Sequence, residues 1–350
     1  MNNALRAYIA KNFVPPQKTG AMVAFGNPPE QCRYEDAKIV LFGVPFDGTA
    51  TYGGGSEYGP QVIRDASSWQ IETYSCTSDY NPYDGIYDIG DFNFGKVLKG
   101  DRELIYTPHL RNKAASKKEV REAKARVDRA VNELKTLERL TKGLRKDGKV
   151  PLMLGGEHLV SLWTLMGVSG ENPVLLWFDA HLDCKQEYLG VNFSHTTPMY
   201  YLTRGYMNGK DIMQVGIRQG STDEFENAKA AGINVYKAFD NGWLFEGDRF
   251  ERLKSDIAKK TEGRKVAVSF DIDAFDASLT PRTGTPSSGG MFRHHAAQLL
   301  ESVSPTAKVI YLDVVEAASD GKDTREGTLA TELIVDHLLA HPSLRNHSNS

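Results

Sequence analysis

Thiols are nearly missing from this chain. Its 350 residues hold three cysteines, Cys32, Cys76 and Cys184. An odd number at wide spacing excludes a disulfide framework and a thiolate metal site as the organising chemistry. Long apolar runs are missing too; none approaches the ~20 residues that span a bilayer. Charge of one sign does not accumulate either. The 42 Lys and Arg residues face 45 Asp and Glu, a net charge of -3 with the signs interspersed. No large field is left for nucleic acid or an anionic membrane surface. The opening MNNALRAYIAKNF lacks the apolar core of a secretory signal, so the expected location is the cytoplasm. Repeats and low-complexity segments are absent. With 40% hydrophobic and 25% charged residues, the composition is that of an ordinary globular chain.

What recurs is a short apolar run that stops at a polar or glycine-rich group. It appears as IVLFGVPFDG (39–48), PLMLGGEH (151–158), VLLWFDAHLD (174–183), MQVGIRQG (213–220), VAVSFDID (266–273) and VIYLDVVE (309–316). Runs without alternation read as strands buried on both faces, the habit of a parallel sheet. Helical patterns lie between them. The longest, from Lys117 to Lys149, sets Val120, Val127, Val131, Leu134, Leu137, Leu140 and Leu144 on one stripe and ends at Gly148. The fold class is therefore α/β: a three-layer α/β/α sandwich with a mostly parallel sheet. Residues 1–350 read as one domain, with an N-terminal extension (1–35), a surface excursion at about 92–116 and a frayed tail (341–350). Ligands of such sheets bind beyond the carboxyl ends of the strands, and every polar terminator above sits at one.

The terminators carry the chemistry. In DAHLD, alternate residues of an extended chain point to one side, so Asp179, His181 and Asp183 converge. VAVSF leads into Asp271 and Asp273 in the same way. His158 follows two glycines that let the backbone approach closely before a helix. Each motif alone is weak: D-x-H-x-D is more often a solvated loop, D-x-D is common, and a lone histidine is usually a satisfied one. Their coincidence is informative, because four carboxylates and two imidazoles meet at strand ends with no basic residue among them. Such a thiolate-free set suits Mn²⁺ or a similar divalent first-row ion, with Zn²⁺ and Ni²⁺ as alternatives. Four carboxylates balance two divalent cations.

These residues resemble those of the ureohydrolase family, which contains arginases, agmatinases and other amidinohydrolases. Its three signatures stand here as GGEH (155–158), DAHLD (179–183) and SFDIDAFDASLTPRTGTPSSGG (269–290). Further matches are GVPFDGTATYGGGSEYGPQVIRDAS (43–67), DIGD (88–91), SHTTP (194–198), GIR (216–218) and DVVE (313–316). IETYS (71–75) and GGEH lean toward an agmatinase-like branch. The resemblance implies an arginase-like fold, a homo-oligomer (trimer or hexamer), and two Mn²⁺ per subunit with Ni²⁺ as the alternative. It implies one ion on His158, Asp179, Asp183 and Asp271, and a second on Asp179, His181, Asp271 and Asp273. It further implies His195 as a proton shuttle, Glu316 as the acid that grips a guanidinium, and Asp183 as a stabiliser of the tetrahedral intermediate.

Departures from the family pattern bear on the substrate. Thr196 stands where glycine is usual, and Arg282 also replaces a glycine. Arg282 is a candidate for a substrate carboxylate or, preferably, for a loop or subunit contact. Arginine is disfavoured because its recognition residues are replaced by Gln219, Ser221 and Lys185. Agmatine is the first expectation; guanidine, guanidinobutyrate and alkylated guanidines or biguanides are alternatives. The loop 52–59 and the aromatics Trp69, Tyr188 and Phe193 are candidate pocket walls, and Cys184 is expected to face away from the ions. A single-zinc deacetylase-like enzyme and a regulatory subunit paired with a paralogue are competing readings.

Overall fold

The computed structural model describes residues 1–16, 25, 32–70, 85–94 and 116–344. All six runs picked out above are strands of one nine-stranded sheet: β2 (Ile39–Val44), β4 (Val150–Gly155), β5 (Val174–Phe178), β6 (Ile212–Ile217), β8 (Lys265–Asp271) and β9 (Lys308–Val315). Three more strands complete it: β1 (Phe13–Val14), β3 (Ile86–Phe92) and β7 (Asn234–Lys237). The order is β1-β3-β2-β4-β9-β8-β5-β6-β7, parallel throughout except for β1 against β3.

The absence of polar alternation has its physical cause in the two helix layers. In β5, Leu175 and Trp177 enter one apolar cluster, while Val174, Leu176 and Phe178 enter the other. On the first face pack α1 (Asn3–Asn12), α3 (Lys117–Leu134), α4 (Leu137–Lys146), α5 (Val160–Ser169), α6 (Pro198–Leu202) and α7 (Thr222–Ala231). On the second pack α2 (Gly59–Gln70), α8 (Gly247–Thr261), α9 (Arg293–Glu301) and α10 (Arg325–Leu333). The protein is thus an α/β/α sandwich. The amino ends of β4, β5 and β8 follow tight turns in which Gly148, Asn172 and Gly263 take positive φ.

Several expectations need adjustment. The stripe from Lys117 to Lys149 is two helices rather than one. The chain breaks at Lys135–Thr136, where the Thr136 hydroxyl folds back onto the Glu133 carbonyl (2.7 Å) and pairs with Tyr8 Oη (2.8 Å). That side-chain bond competes with the helical ladder. The first residues are not a detached extension: α1 lies on α4, and β1 adds an antiparallel edge. The tail is tied down through Leu344, with buried His341 pairing through Nε2 to the Ser304 carbonyl. Residues 95–115 of the surface excursion, IETYS and the Trp69 side chain lie outside what is described. No helix among the described residues is long and apolar enough to cross a membrane.

One buried ion pair couples α2 to β3. The Arg64 guanidinium reaches Asp88 at 2.8 Å and Asp91 at 2.5 Å. Replacing it leaves two carboxylates short of their counter-charge, and Asp91 is already pushed upward, mainly by burial. Arg64→Leu is expected to cost about 3–5 kcal/mol at neutral pH. Part of the loss should be relieved as pH falls and the orphaned carboxylates take up protons, which denaturant titrations at two pH values will measure.

Candidate metal centre

Four neighbouring strands, β4, β9, β8 and β5, deliver the polar terminators to one rim of the sheet. The chain leaves β4 through Gly155 and Gly156. A Cβ on Gly156 would stand 2.0 Å from the Phe46 carbonyl oxygen, so only glycine permits this approach. His158 follows, buried, with its ring stacked on Trp177 at 3.8 Å and 9°. Its Nε2 meets Ser269 Oγ at 3.0 Å, and that hydroxyl donates to Asp313 Oδ1 at 2.7 Å. With the serine proton committed to Asp313, Nε2 must be the donor, so Nδ1 carries the lone pair of the neutral ring.

That lone pair faces carboxylates. Nδ1 lies 3.0 Å from Asp179, 3.2 Å from Asp271 and 3.4 Å from Asp183, yet it makes no aligned hydrogen bond. Electron-rich atoms converge where either a proton on Nδ1 or a bound cation must relieve them. Beside them, His181 Nδ1 sits 2.9 Å from Asp273 and 3.6 Å from the other oxygen of Asp179. Two groups able to hold an ion result, one of His158, Asp179 and Asp183 and one of Asp179, His181 and Asp273, each with ligand atoms within 4.8 Å of one another. Asp179 belongs to both. Asp271 joins the first through Oδ2, while its Oδ1 accepts the Asp273 amide at 2.7 Å. The thiolate-free donor set fits divalent first-row ions.

The electrostatics agree. Burial alone would push the His158 and His181 imidazolium ions down, but the adjoining carboxylates outweigh it and hold both well above the ordinary range. Burial, then the Asp179 charge, pushes Asp183 up to about 7. Asp271 is raised well above the ordinary carboxylate range, by burial and then by Asp273. Without cations, protons are the only neutralising charge available, and bound ions would displace them.

A cavity of about 380 Å³ opens over this cluster. Glu316 and His195 line it with His181, Asp183, Asp271 and Asp273, and so do Lys185, Thr196, Gln219 and Tyr188. Glu316 Oε1 accepts the His158 amide at 2.8 Å. Burial, followed by the Asp273 charge, lifts Glu316 to about 8. His195 is lowered to about 4, first by burial and then by His181.

Other candidates lie elsewhere. Arg282 does not line the cavity; it pairs with Asp323 at 3.1 Å and Asp320 at 3.5 Å, as a loop contact would. Phe193 packs on Tyr201 and Trp163. The 52–59 loop seats against backbone: the Gly53 amide donates to the Gly284 carbonyl, and Gly55 abuts Ser319. Cys184 is fully buried, and burial pushes its thiol up to about 12.

The sequence reading passed over Trp177, Ser269 and Asp313. Trp177 Nε1 donates to Asp179 Oδ2 at 2.8 Å. The signal was present, because Trp177 and Ser269 each precede a ligand by two positions and so share its face of the strand. Ser269 also pairs in register with Asp313.

The profile of the Arginase family matches residues 37–340. The chain belongs to the arginase family. Its members hydrolyse C–N bonds of amidines, and this protein is a hydrolase of that kind. It is 32% identical to the agmatinase of Bacillus subtilis over 291 residues, covering 81% of this chain and 85% of that protein. It is 28% identical to the guanidinopropionase of Pseudomonas aeruginosa over 292 residues, covering 80% and 79%. The structure of the agmatine ureohydrolase of Thermoplasma volcanium superposes with a TM-score of 0.71 at 24% identity, over 93% of this chain and 95% of that one. The sandwich is the arginase fold.

Two outcomes test the centre. Asp271→Asn is expected to abolish turnover and lower bound metal together, read by elemental analysis beside activity. Metal uptake is expected to release protons and to tighten as pH rises, because His158 and His181 hold protons to unusually high pH in the metal-free protein. Calorimetry in buffers of different ionisation enthalpy measures both.

Proposed function

We propose that the protein is a dinuclear-metal amidinohydrolase that cleaves a guanidino compound to urea, or a urea analogue, and an amine. The observation that carries this reading is Asp179, whose two oxygens face two different imidazoles, so that two ligand groups share one bridging carboxylate. A single-ion deacetylase-like site would need only one of them. Manganese is the first candidate ion and nickel the alternative. His158, Asp179, Asp183 and Asp271 would hold one ion, and Asp179, His181, Asp271 and Asp273 the other. When bound, such a pair lowers the pKa of water and supplies a nucleophile at neutral pH.

The remaining steps fall to this chain's own side chains. Glu316 accepts the planar N–H face of the guanidinium and fixes its carbon above the cluster. Its position is set from behind by the His158 amide. His195 is neutral at pH 7, because burial holds it near 4. It is therefore free to accept the proton that the attacking water gives up and to pass that proton to the leaving amine nitrogen. Asp183, on the same rim, steadies the charge that develops at the tetrahedral carbon's substituents.

Agmatine is the first substrate to test, since several relatives bear the name agmatinase. A second reading, a guanidino acid such as guanidinobutyrate, is favoured by Lys185. It is the one lysine or arginine among the described residues that line the cavity. Its ammonium holds Ser221 Oγ at 2.5 Å, Glu224 at 3.3 Å and the more exposed Asp223 at 3.7 Å. Glu224 is itself occupied by the Ser221 amide and hydroxyl, at 2.9 and 2.7 Å. The second cation of agmatine would find a lysine facing it, whereas a carboxylate would find a donor.

Urea release from metal-loaded protein tests the proposal on agmatine, guanidinobutyrate, guanidinopropionate, arginine, guanidine and methylated guanidines. Urea from none of them overturns it. Glu316→Gln is expected to keep its metal and lose about a hundredfold in kcat/KM, the scale of one charge-assisted pair. Lys185→Gln is expected to shift the ratio of guanidinobutyrate to agmatine turnover toward agmatine; an unchanged ratio removes Lys185 from substrate selection.

A further inference from the structure

Glu157 stands beside the proposed ligand His158, yet it is fully buried and does not line the cavity. No cation pairs with it among the described residues. A buried acid this costly needs a structural reason. Its hydrogen bonds supply one. The Thr49 amide donates to Glu157 Oε2 at 2.8 Å, and the Thr49 hydroxyl donates to Oε1. The same hydroxyl oxygen accepts the backbone N–H of His195 at 2.9 Å. Thr49 is fully buried, and its one hydroxyl joins the two ends of the chain: the oxygen accepts the His195 N–H and the group pairs with the Glu157 carboxyl.

The anchor end of this chain is rigid. The Glu157 amide donates to the Phe46 carbonyl at 2.7 Å, and the Gly156 amide to the Val44 carbonyl at 2.9 Å. The Gly156 carbonyl accepts the Glu316 amide at 2.8 Å. The other end is held by the Lys185 amide on the Thr196 carbonyl and the Thr197 amide on the Ser194 carbonyl, both at 3.0 Å, and neither involves His195 itself. The His195 ring has a buried Nδ1 with no hydrogen-bond partner among the described residues. Its placement therefore depends on its backbone.

We propose that Glu157 and Thr49 form a buried strap that sets the position of His195 over the ligand cluster, with Glu157 as a positioning residue that acts through Thr49. The strap ties the turn after β4, which already holds His158 and Glu316, to the loop that carries His195. An aspartate at this position would be one methylene short of Thr49. The inference rests on the reading of His195 as the proton carrier.

The test is a double-mutant cycle on metal-loaded, full-length protein with agmatine and guanidinobutyrate. Thr49→Val keeps the shape and removes the hydroxyl. It is expected to lower kcat by about tenfold to a hundredfold, the scale of a misplaced catalytic group, with KM and metal content little changed. Thr49→Ser should recover most of that loss. Glu157→Asp should behave like Thr49→Val, and if it fails to fold, the Thr49 pair still decides the matter. In a His195→Asn background, Thr49→Val should cost nothing more. An equal, multiplicative loss in that background, or a loss that tracks bound metal, overturns the strap. So does a fully active Thr49→Val beside an impaired His195→Asn, and that result leaves the proton-carrier reading standing. A fully active His195→Asn overturns both.

Discussion

Like charges brought together out of water are the constraint from which this architecture follows. Asp179, Asp183, Asp271 and Asp273 are all buried at one rim of the sheet, with two imidazoles and no lysine or arginine between them. Such a cluster is tolerable only if cations enter it or protons stay on it. The rest of the site works to keep the oxygens aimed inward. Trp177 fixes one oxygen of Asp179 and supports the His158 ring, while Ser269 and Asp313 decide which nitrogen of that ring faces the cluster. Arg218 braces the outer wall from behind, donating to the carbonyls of Asp273, Phe275 and Ser287.

Part of the geometry is held against backbone preference. Asp183 and Glu316 adopt φ of 50° and 62°, in the left-handed region that ordinary side chains avoid. Both stand at the cavity. A strand that continued in extended form would carry these carboxylates past the rim, so the local turn points them at the cluster. Strain of this kind persists where surrounding contacts over-determine it. Glu316 has two such contacts, its own amide on the Gly156 carbonyl and its carboxylate on the His158 amide.

How much of this was legible in the sequence depended on burial and spacing. The six central strands announced themselves because both of their faces are covered, which leaves few polar residues in them, chiefly Gln214, Ser269, Asp271 and Asp313. β3 escaped notice because IYDIGDF mixes acids into the run, and those acids serve Arg64 on α2 rather than solvent. β1 and β7 are too short to show a period. The break between α3 and α4 was hidden because Thr136 alone is a weak local signal, and the Tyr8 contact that joins its bond to Glu133 comes from a remote segment. The ligand residues were readable from period-two spacing at strand ends. The loop contact preferred for Arg282 is the one found, although its partners Asp320 and Asp323 lie about forty residues on and could not be named from local sequence.

Parallel strands also divide the molecule into two rims with unequal duties. All the chemistry gathers at the carboxyl ends, while the opposite ends are entered through the plain turns at Gly148, Asn172 and Gly263. That second rim is free of ligands and lies a full strand length away from them. A fusion partner, a surface tether or a spectroscopic label attached there meets turns and the ion pairs of Glu171 with Arg145 and Lys265, and leaves the working rim unobstructed.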